Sequence, residues 1–94
     1  MKLISNKALR DFARLHVDAE TSLQAWRRLI EHGSYGNFAE LRATFATVDK
    51  VGDRYVFNMG GNKYRLIAAI AFKPGWVWVK AVLTHAEYDR GAWK

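Results

Sequence analysis

Apolar and polar positions alternate with a period of two between Arg54 and Thr84, in three runs separated by Gly60-Gly61 and Pro74-Gly75. That pattern predicts three consecutive strands: Arg54 to Met59, Lys63 to Phe72, and Trp76 to Thr84. A two-residue turn at Gly60-Gly61 would set Asn58 opposite Lys63, Val56 opposite Arg65 and Arg54 opposite Ile67. Directly opposed residues share a face. Arg54, Asn58, Lys63 and Arg65 then lie on one side, and Tyr55, Phe57, Tyr64 and Leu66 on the other. A four-residue loop from Lys73 to Trp76 would put Ala69 opposite Lys80, Ile67 opposite Val82 and Arg65 opposite Thr84. Lys80 and Thr84 thereby join the cationic face, and His85 and Tyr88 follow directly. Trp76 and Trp78 fall on the Lys80 face, where burial under a helix or the tail competes with stacking on bases.

The first half of the chain has the other period. Lys2-Leu3-Ile4 suits a short strand, after which Ser5 or Asn6 can cap a helix reaching about His16. Its apolar side is Ala8, Leu9, Phe12, Ala13 and Leu15, with Lys7, Arg10 and Arg14 on the other side. Asp18 suits the cap of a second helix, whose stripe is Leu23, Trp26, Leu29 and Ile30 and whose stop is Gly33. Asn37 and Glu40 form a weak capping box before a turn or two of helix from Phe38 to Ala43, and Phe45 to Asp53 reads as a connection. After Tyr88 comes a short polar tail with Trp93, expected to dock on the body or on a partner. The expected fold is α+β: one domain over residues 1–94, with two N-terminal helices on one face of a mainly antiparallel three- to four-stranded sheet, and a short C-terminal helical tail.

Charge adds a partner class to this picture. Fifteen Lys and Arg against nine Asp and Glu give +6, and residues 53–80 hold Arg54, Lys63, Arg65, Lys73 and Lys80 against Asp53 alone. A basic sheet favours nucleic acid, an acidic protein segment or a membrane surface, although many small domains are basic only for solubility. The chain has no cysteine, which excludes disulfides, thiol chemistry and cysteine zinc sites. His16, His32 and His85 fall in separate segments, so no metal site is expected. Neither a signal-peptide pattern nor an apolar run of about 20 residues occurs, which points to a cytoplasmic protein with no membrane partner.

No phosphate-binding GxxxxGK[ST] motif occurs, and Gly60-Gly61-Asn62 reads as a turn. A Ser/His/Asp set is compatible with the spacing, yet no nucleophile-elbow sequence supports it. Arg65, Lys63, Lys80, His85 and Tyr88 form the more productive constellation. Metal-free RNA cleavage needs a base at the 2'-hydroxyl, positive charge around the phosphorane oxygens and an acid for the leaving 5'-oxygen. His titrates near neutrality, Arg forks onto phosphate, and Tyr stacks on a base or donates a proton. Taken singly, each has a plainer reading: a strand-end histidine, a packing tyrosine, an ion-paired arginine.

NFAELRATF (37–45), YVFNMGGNKYRLIAAI (55–70) and VLTHAEYD (82–89), with the opening LISNKALRDF and closing GAWK, resemble the HigB-type toxins of the RelE-like group. The resemblance implies a RelE-like fold and a ribosome-dependent mRNA interferase. Such an enzyme uses the RNA's own 2'-hydroxyl, needs neither metal nor cofactor, and is neutralised by a cognate antitoxin; the toxin-antitoxin complex, not the toxin alone, acts on operator DNA. Arg65 in YRL matches the family's phosphate-stabilising arginine, and His85 and Tyr88 in THAEY match its acid/base and base-stacking positions. Where RelE carries lysines active in proton transfer, this chain has Val56 and Asn58. His85 is therefore the first choice for proton exchange, with Lys63, Lys80, Asn58 and Arg54 as RNA contacts. Lys7, Arg10, Arg14, Arg27 and Arg28 would grip ribosomal RNA. The competing expectation is a non-catalytic basic module that binds RNA or protein through the same face.

Overall fold

Three helices pack apolar side chains against one face of a sheet, although Leu15 and Leu29, expected on the buried stripes, are 81% and 47% exposed. The computed structural model describes residues 1–4 and 6–94. Strand β1 (Lys2–Ile4) leads into α1 (Lys7–Leu15), a 3-10 turn (Val17–Ala19), α2 (Glu20–His32) and α3 (Phe38–Thr44). Then come β2 (Asp49–Val51), β3 (Arg54–Met59), β4 (Tyr64–Ala71), β5 (Trp76–Thr84) and α4 (His85–Arg90). Leu9 of α1, Leu23, Trp26 and Ile30 of α2, and Leu41 of α3 are buried against Tyr55, Phe57, Met59, Tyr64, Leu66, Ala68 and Val77 of the sheet. Edge-on aromatic contacts lock this layer: Trp26 and Phe45 meet Phe57 with centroids 5.4 and 5.1 Å apart. Among the described residues no helix is long and apolar enough to cross a membrane.

The expected caps are only partly used. Asn37 caps α3, its side chain accepting from Glu40 N at 2.9 Å. Asn6 stands at the N-cap of α1 without a capping bond from its side chain, and Ser5 lies outside the described residues. Asp18 does not cap α2; that position is Ala19, and the Asp18 carboxylate turns to the sheet.

The sheet is larger and more mixed than its alternation suggests. Its order is β1-β5-β4-β3-β2: five strands, with β1 parallel to β5 and the other pairs antiparallel. The added strand, β2, lies inside the stretch 45–53 that reads as a connection. Three residues, the exposed Asp49 and Lys50 and the half-buried Val51, carry too little alternation to announce a strand, and the free edge of β3 supplies the pairing.

Registers differ from the simple expectation at two places. The β3–β4 turn is four residues long, because Gly60, Gly61 and Asn62 take successive positive φ of 57°, 63° and 74°. Asn58 therefore pairs with Arg65, not Lys63, and Val56 with Ile67. A shift of two preserves the faces, so the predicted sorting of β3 and β4 survives. Between β4 and β5 a bulge leaves Lys80 as the extra residue: Ala68 pairs with Val79, but Ile67 pairs with Ala81. Beyond the bulge the parity inverts. Arg65 faces Leu83, while Thr84 lies opposite Tyr64 and Val82 joins the core side, contrary to the uniform register.

The second sheet face has a small core of its own. Val56 and Ile67 are 3% and 1% exposed although they point away from the three helices. Helix α4 and the tail fold over them. Gly91 takes the left-handed conformation, φ 74°, that ends α4 and turns the tail back. Trp93 then lies between Arg54 on β3 and the pair Ala81 and Leu83 on β5.

Candidate active site

The site forms where β5 becomes α4. Thr84 Oγ1 accepts from Glu87 N (3.2 Å), and Glu87 Oε1 accepts from Thr84 N (2.9 Å). This reciprocal capping box stops the strand and starts the helix within one residue, making His85 the first residue of α4. The backbone bond from Thr84 N, then the Thr84 hydroxyl, hold the Glu87 carboxyl below its ordinary range, with Arg90 and His16 adding favourable charge. His85 N also donates to Lys63 O at 3.0 Å, which ties the helix start to the β3–β4 turn.

Around this corner the side chains converge. Arg65 is half-buried; its Nη1 donates to Asn62 O (3.0 Å) and Tyr64 O (3.2 Å). Its guanidinium carbon lies 5.5 Å from the centroid of the Tyr88 ring. Tyr88 stacks on Trp93, centroids 4.9 Å apart and planes 15° from parallel, and Trp93 Nε1 donates to Tyr88 O at 2.9 Å. His85 Nδ1 lies 2.8 Å from Asp89 Oδ2, one helical turn on. Both of these side chains stay open, at 53% and 60% exposure. With Nδ1 against the carboxylate, Nε2 is the ring nitrogen left for other partners. Asn58, opposite Arg65 on β3, completes the floor.

Three other expected residues lie elsewhere. Lys63 is drawn to the helical side by Asp18, Nζ to Oδ2 3.4 Å. The same carboxylate accepts from the Tyr64 hydroxyl at 2.6 Å; this bond lowers the Asp18 pKa and raises that of Tyr64. Lys80, in the bulge, sits four residues along β5 from Thr84, roughly 13 Å at the rise of a strand. Arg54 is at the far end of β3, ion-paired with Asp53 at 3.4 Å and beside Trp93 and Lys94. The helical cations are also partly engaged: Lys7 and Arg14 share Asp11, and Arg27 pairs with Glu31.

Two contributors were not among the sequence candidates. Asp89 stands at i, i+4 from His85, a spacing that signals a pair once the C-terminal tail is helical, as expected. His16, from the end of α1, stacks on Phe12 at 4.3 Å and lies 5.3 Å from Tyr64, close enough for Glu87 to feel its charge. Nothing in their spacing links His16 to residues 64 and 87. Among the described residues, no three His, Asp or Glu gather in a way that could hold a metal ion. The corner thus offers a fixed guanidinium, an oriented imidazole and a supported phenol, an arrangement suited to stabilising anionic oxygens while moving a proton.

Residues 19–91 match the HigB_toxin family, described as the RelE-like toxic component of a toxin-antitoxin system. The chain is 36% identical over 92 residues to the mRNA interferase toxin HigB of Escherichia coli strain K12, covering 95% of this chain and 88% of that protein. The mRNA interferase HigB of Shigella flexneri gives the same figures. That of Escherichia coli O6:H1 is 32% identical over 93 residues, covering 96% of this chain and 90% of the relative.

Proposed function

The chain belongs to the HigB family of RelE-like toxins, and from that premise we propose that it is an endoribonuclease that cuts messenger RNA on the translating ribosome. Its relatives carry the name mRNA interferase, and the corner described above has the groups such a reaction requires. In the proposed step the 2'-oxygen of one nucleotide attacks the adjacent phosphorus and the bond to the 5'-oxygen breaks. The products are a 2',3'-cyclic phosphate and a 5'-hydroxyl. Arg65, held by two backbone carbonyls, faces the non-bridging oxygens and stabilises the charge of the phosphorane. His85, oriented by Asp89, exchanges the proton through Nε2. Tyr88, propped by Trp93, positions the base of the target nucleotide.

One observation supports this reading most: the capped start of α4 sets His85 and Tyr88 three residues apart, on one side of a helix packed beside Arg65. As a member of a toxin-antitoxin family the chain has a cognate antitoxin as partner. We assign the antitoxin the role of neutralising the cleavage, and operator DNA is reached only through the toxin-antitoxin complex. The site of action is then the cytoplasm, where messages are translated.

Mapping of 5'-ends on a reporter message in a translation extract tests the proposal, using wild type, Arg65→Ala and His85→Ala, each also on naked RNA. New ends are expected only with ribosomes and wild-type protein, and each variant should lose at least about 100-fold in cutting. Cuts in naked RNA would remove the ribosome from the reading. Folded, RNA-binding protein that makes no cuts would replace the enzyme with a non-catalytic RNA-binding module.

A further inference from the structure

The sheet face that carries Arg65 continues past the active corner to a second feature that cleavage does not use. Trp76 and Trp78, at the start of β5, lie on that face and meet edge to face, centroids 5.9 Å apart at 81°. The tail does not cover them. Trp76 is 42% exposed, in contrast to the buried Val56 and Ile67 of the same face. Their partners across β4 are Ala71 and Ala69, too small to shield an indole.

The segment that builds this patch carries one sign of charge. From Gly60 to His85 the chain has no Asp or Glu, while Lys63, Arg65, Lys73 and Lys80 fall within it. Lys2 on the edge strand pairs with Trp76, and Lys73 and Lys80 are exposed on either side of the tryptophans. Farther along β5 lies a groove of about 430 Å³, walled by Ala81 and Leu83 and by Glu87, Arg90, Ala92 and Trp93 of α4 and the tail. Exposed aromatic rings set among cations, with a groove farther along the strand, are the elements with which proteins hold unpaired nucleotides: bases stack on the rings and lysines meet the phosphates.

We propose that Trp76 and Trp78 form a base-stacking subsite for single-stranded substrate RNA, reached along β5 from the active corner with Lys80 contacting the intervening phosphate. The proposal rests on the reading of that corner as an RNA-cleaving site. Trp78 pairs with Ala69, four residues along β4 from Arg65, roughly 13 Å at the rise of a strand, so the subsite takes a nucleotide beyond the reacting one. An acidic protein segment would satisfy the lysines equally. An open indole, Trp76, with the half-buried Trp78 beside it on the sheet surface that carries Arg65, favours RNA.

Binding of 2'-O-methylated oligoadenylates, which lack the attacking hydroxyl, tests the subsite by fluorescence anisotropy. Oligomers of about 3 and about 10 nucleotides fall, respectively, below and within the ordinary range of single-strand site sizes, about 4 to 16 nucleotides. Wild type should bind the longer oligomer more tightly. Trp76→Ala should weaken only the longer one, by about 5- to 100-fold, and Trp76→Phe should keep most of the affinity. Lys80→Ala should lower the salt slope of the longer oligomer by about 0.7. No gain with length, an unchanged Kd in Trp76→Ala, or equal loss at both lengths would overturn the subsite. So would an effect of Trp76→Ala on ribosome or antitoxin binding alone. Cleavage by the same variants in the translation extract keeps the two readings apart: loss of cutting in Arg65→Ala with no length effect at Trp76 leaves the nuclease standing and removes the subsite.

Discussion

A histidine on a short surface helix is ordinarily inert, and His85 is distinguished by what holds it. Its amide is bound by Lys63 O and its Nδ1 by Asp89, so one nitrogen remains for chemistry. In the proposed reaction Asp89 acts through His85, as a positioning residue. Asp89→Asn should lower kcat roughly 10- to 100-fold while KM and the melting temperature stay near wild type, a split that steady-state kinetics and a thermal melt read directly. Had Asp89 only a structural role, the melt would move and kcat would follow it. Arg65 is fixed in the same manner, by carbonyls of the turn before it, and those carbonyls exist there because Asn62 takes a positive φ. Arg65, His85 and Tyr88 could be picked out of the sequence because their types and motifs carry the chemistry. His16 could not, since a histidine at a helix end has no distinguishing local signal, and Asp89 is found only through its i, i+4 spacing from His85.

Helix α4 has six residues, too few to persist alone, and it stands on the Thr84–Glu87 box and the Tyr88–Trp93 stack. Thr84→Ala removes the capping oxygen and should cost about 1 kcal/mol in urea unfolding, with Thr84→Ser restoring most of it. Activity should fall further than that loss of stability explains, because both His85 and Tyr88 ride on the first turn. The bulge at Lys80 matters as much. It inverts the faces of β5 midway, sending Val79 and Val82 to the core while Trp78 and Leu83 share the outer face. Alternation along 76–84 therefore describes each half of β5 correctly and the whole of it incorrectly.

A long-range pin ties the helical layer to the sheet beside the candidate site. Asp18, between α1 and α2, accepts from the Tyr64 hydroxyl and meets Lys63, joining the helical layer to β4 beside Arg65. The Tyr64 bond, aided by Lys63, depresses the Asp18 pKa, so its contribution is complete above the ordinary carboxylate value of about 4. It is lost as pH falls through the lower folded value. Asp18→Asn should therefore be less stable than wild type at neutral pH, and the gap in melting temperature should close below about pH 4. A gap that holds constant down to pH 2 would show that the pin is not ionic.

The sequence by itself determined the α+β class, the helical stripes apart from the exposed Leu15 and Leu29, the central β3–β4–β5 meander, the basic character of the sheet and the identity of Arg65, His85 and Tyr88 as candidates. Those features depend on residue type and short-range period, which the unfolded chain already carries. Tertiary structure alone decided which cations join the site. The four-residue turn moves Arg65, not Lys63, opposite Asn58; Asp18 draws Lys63 to the helical side, and the bulge keeps Lys80 away from the corner. It also decided that β2 pairs, that the tail buries Val56 and Ile67, and that Trp76 stays open. The physical reason is common to all of these. Each depends on contacts between segments far apart in the chain, where a turn longer by two residues or one extra residue in a strand redirects every side chain beyond it.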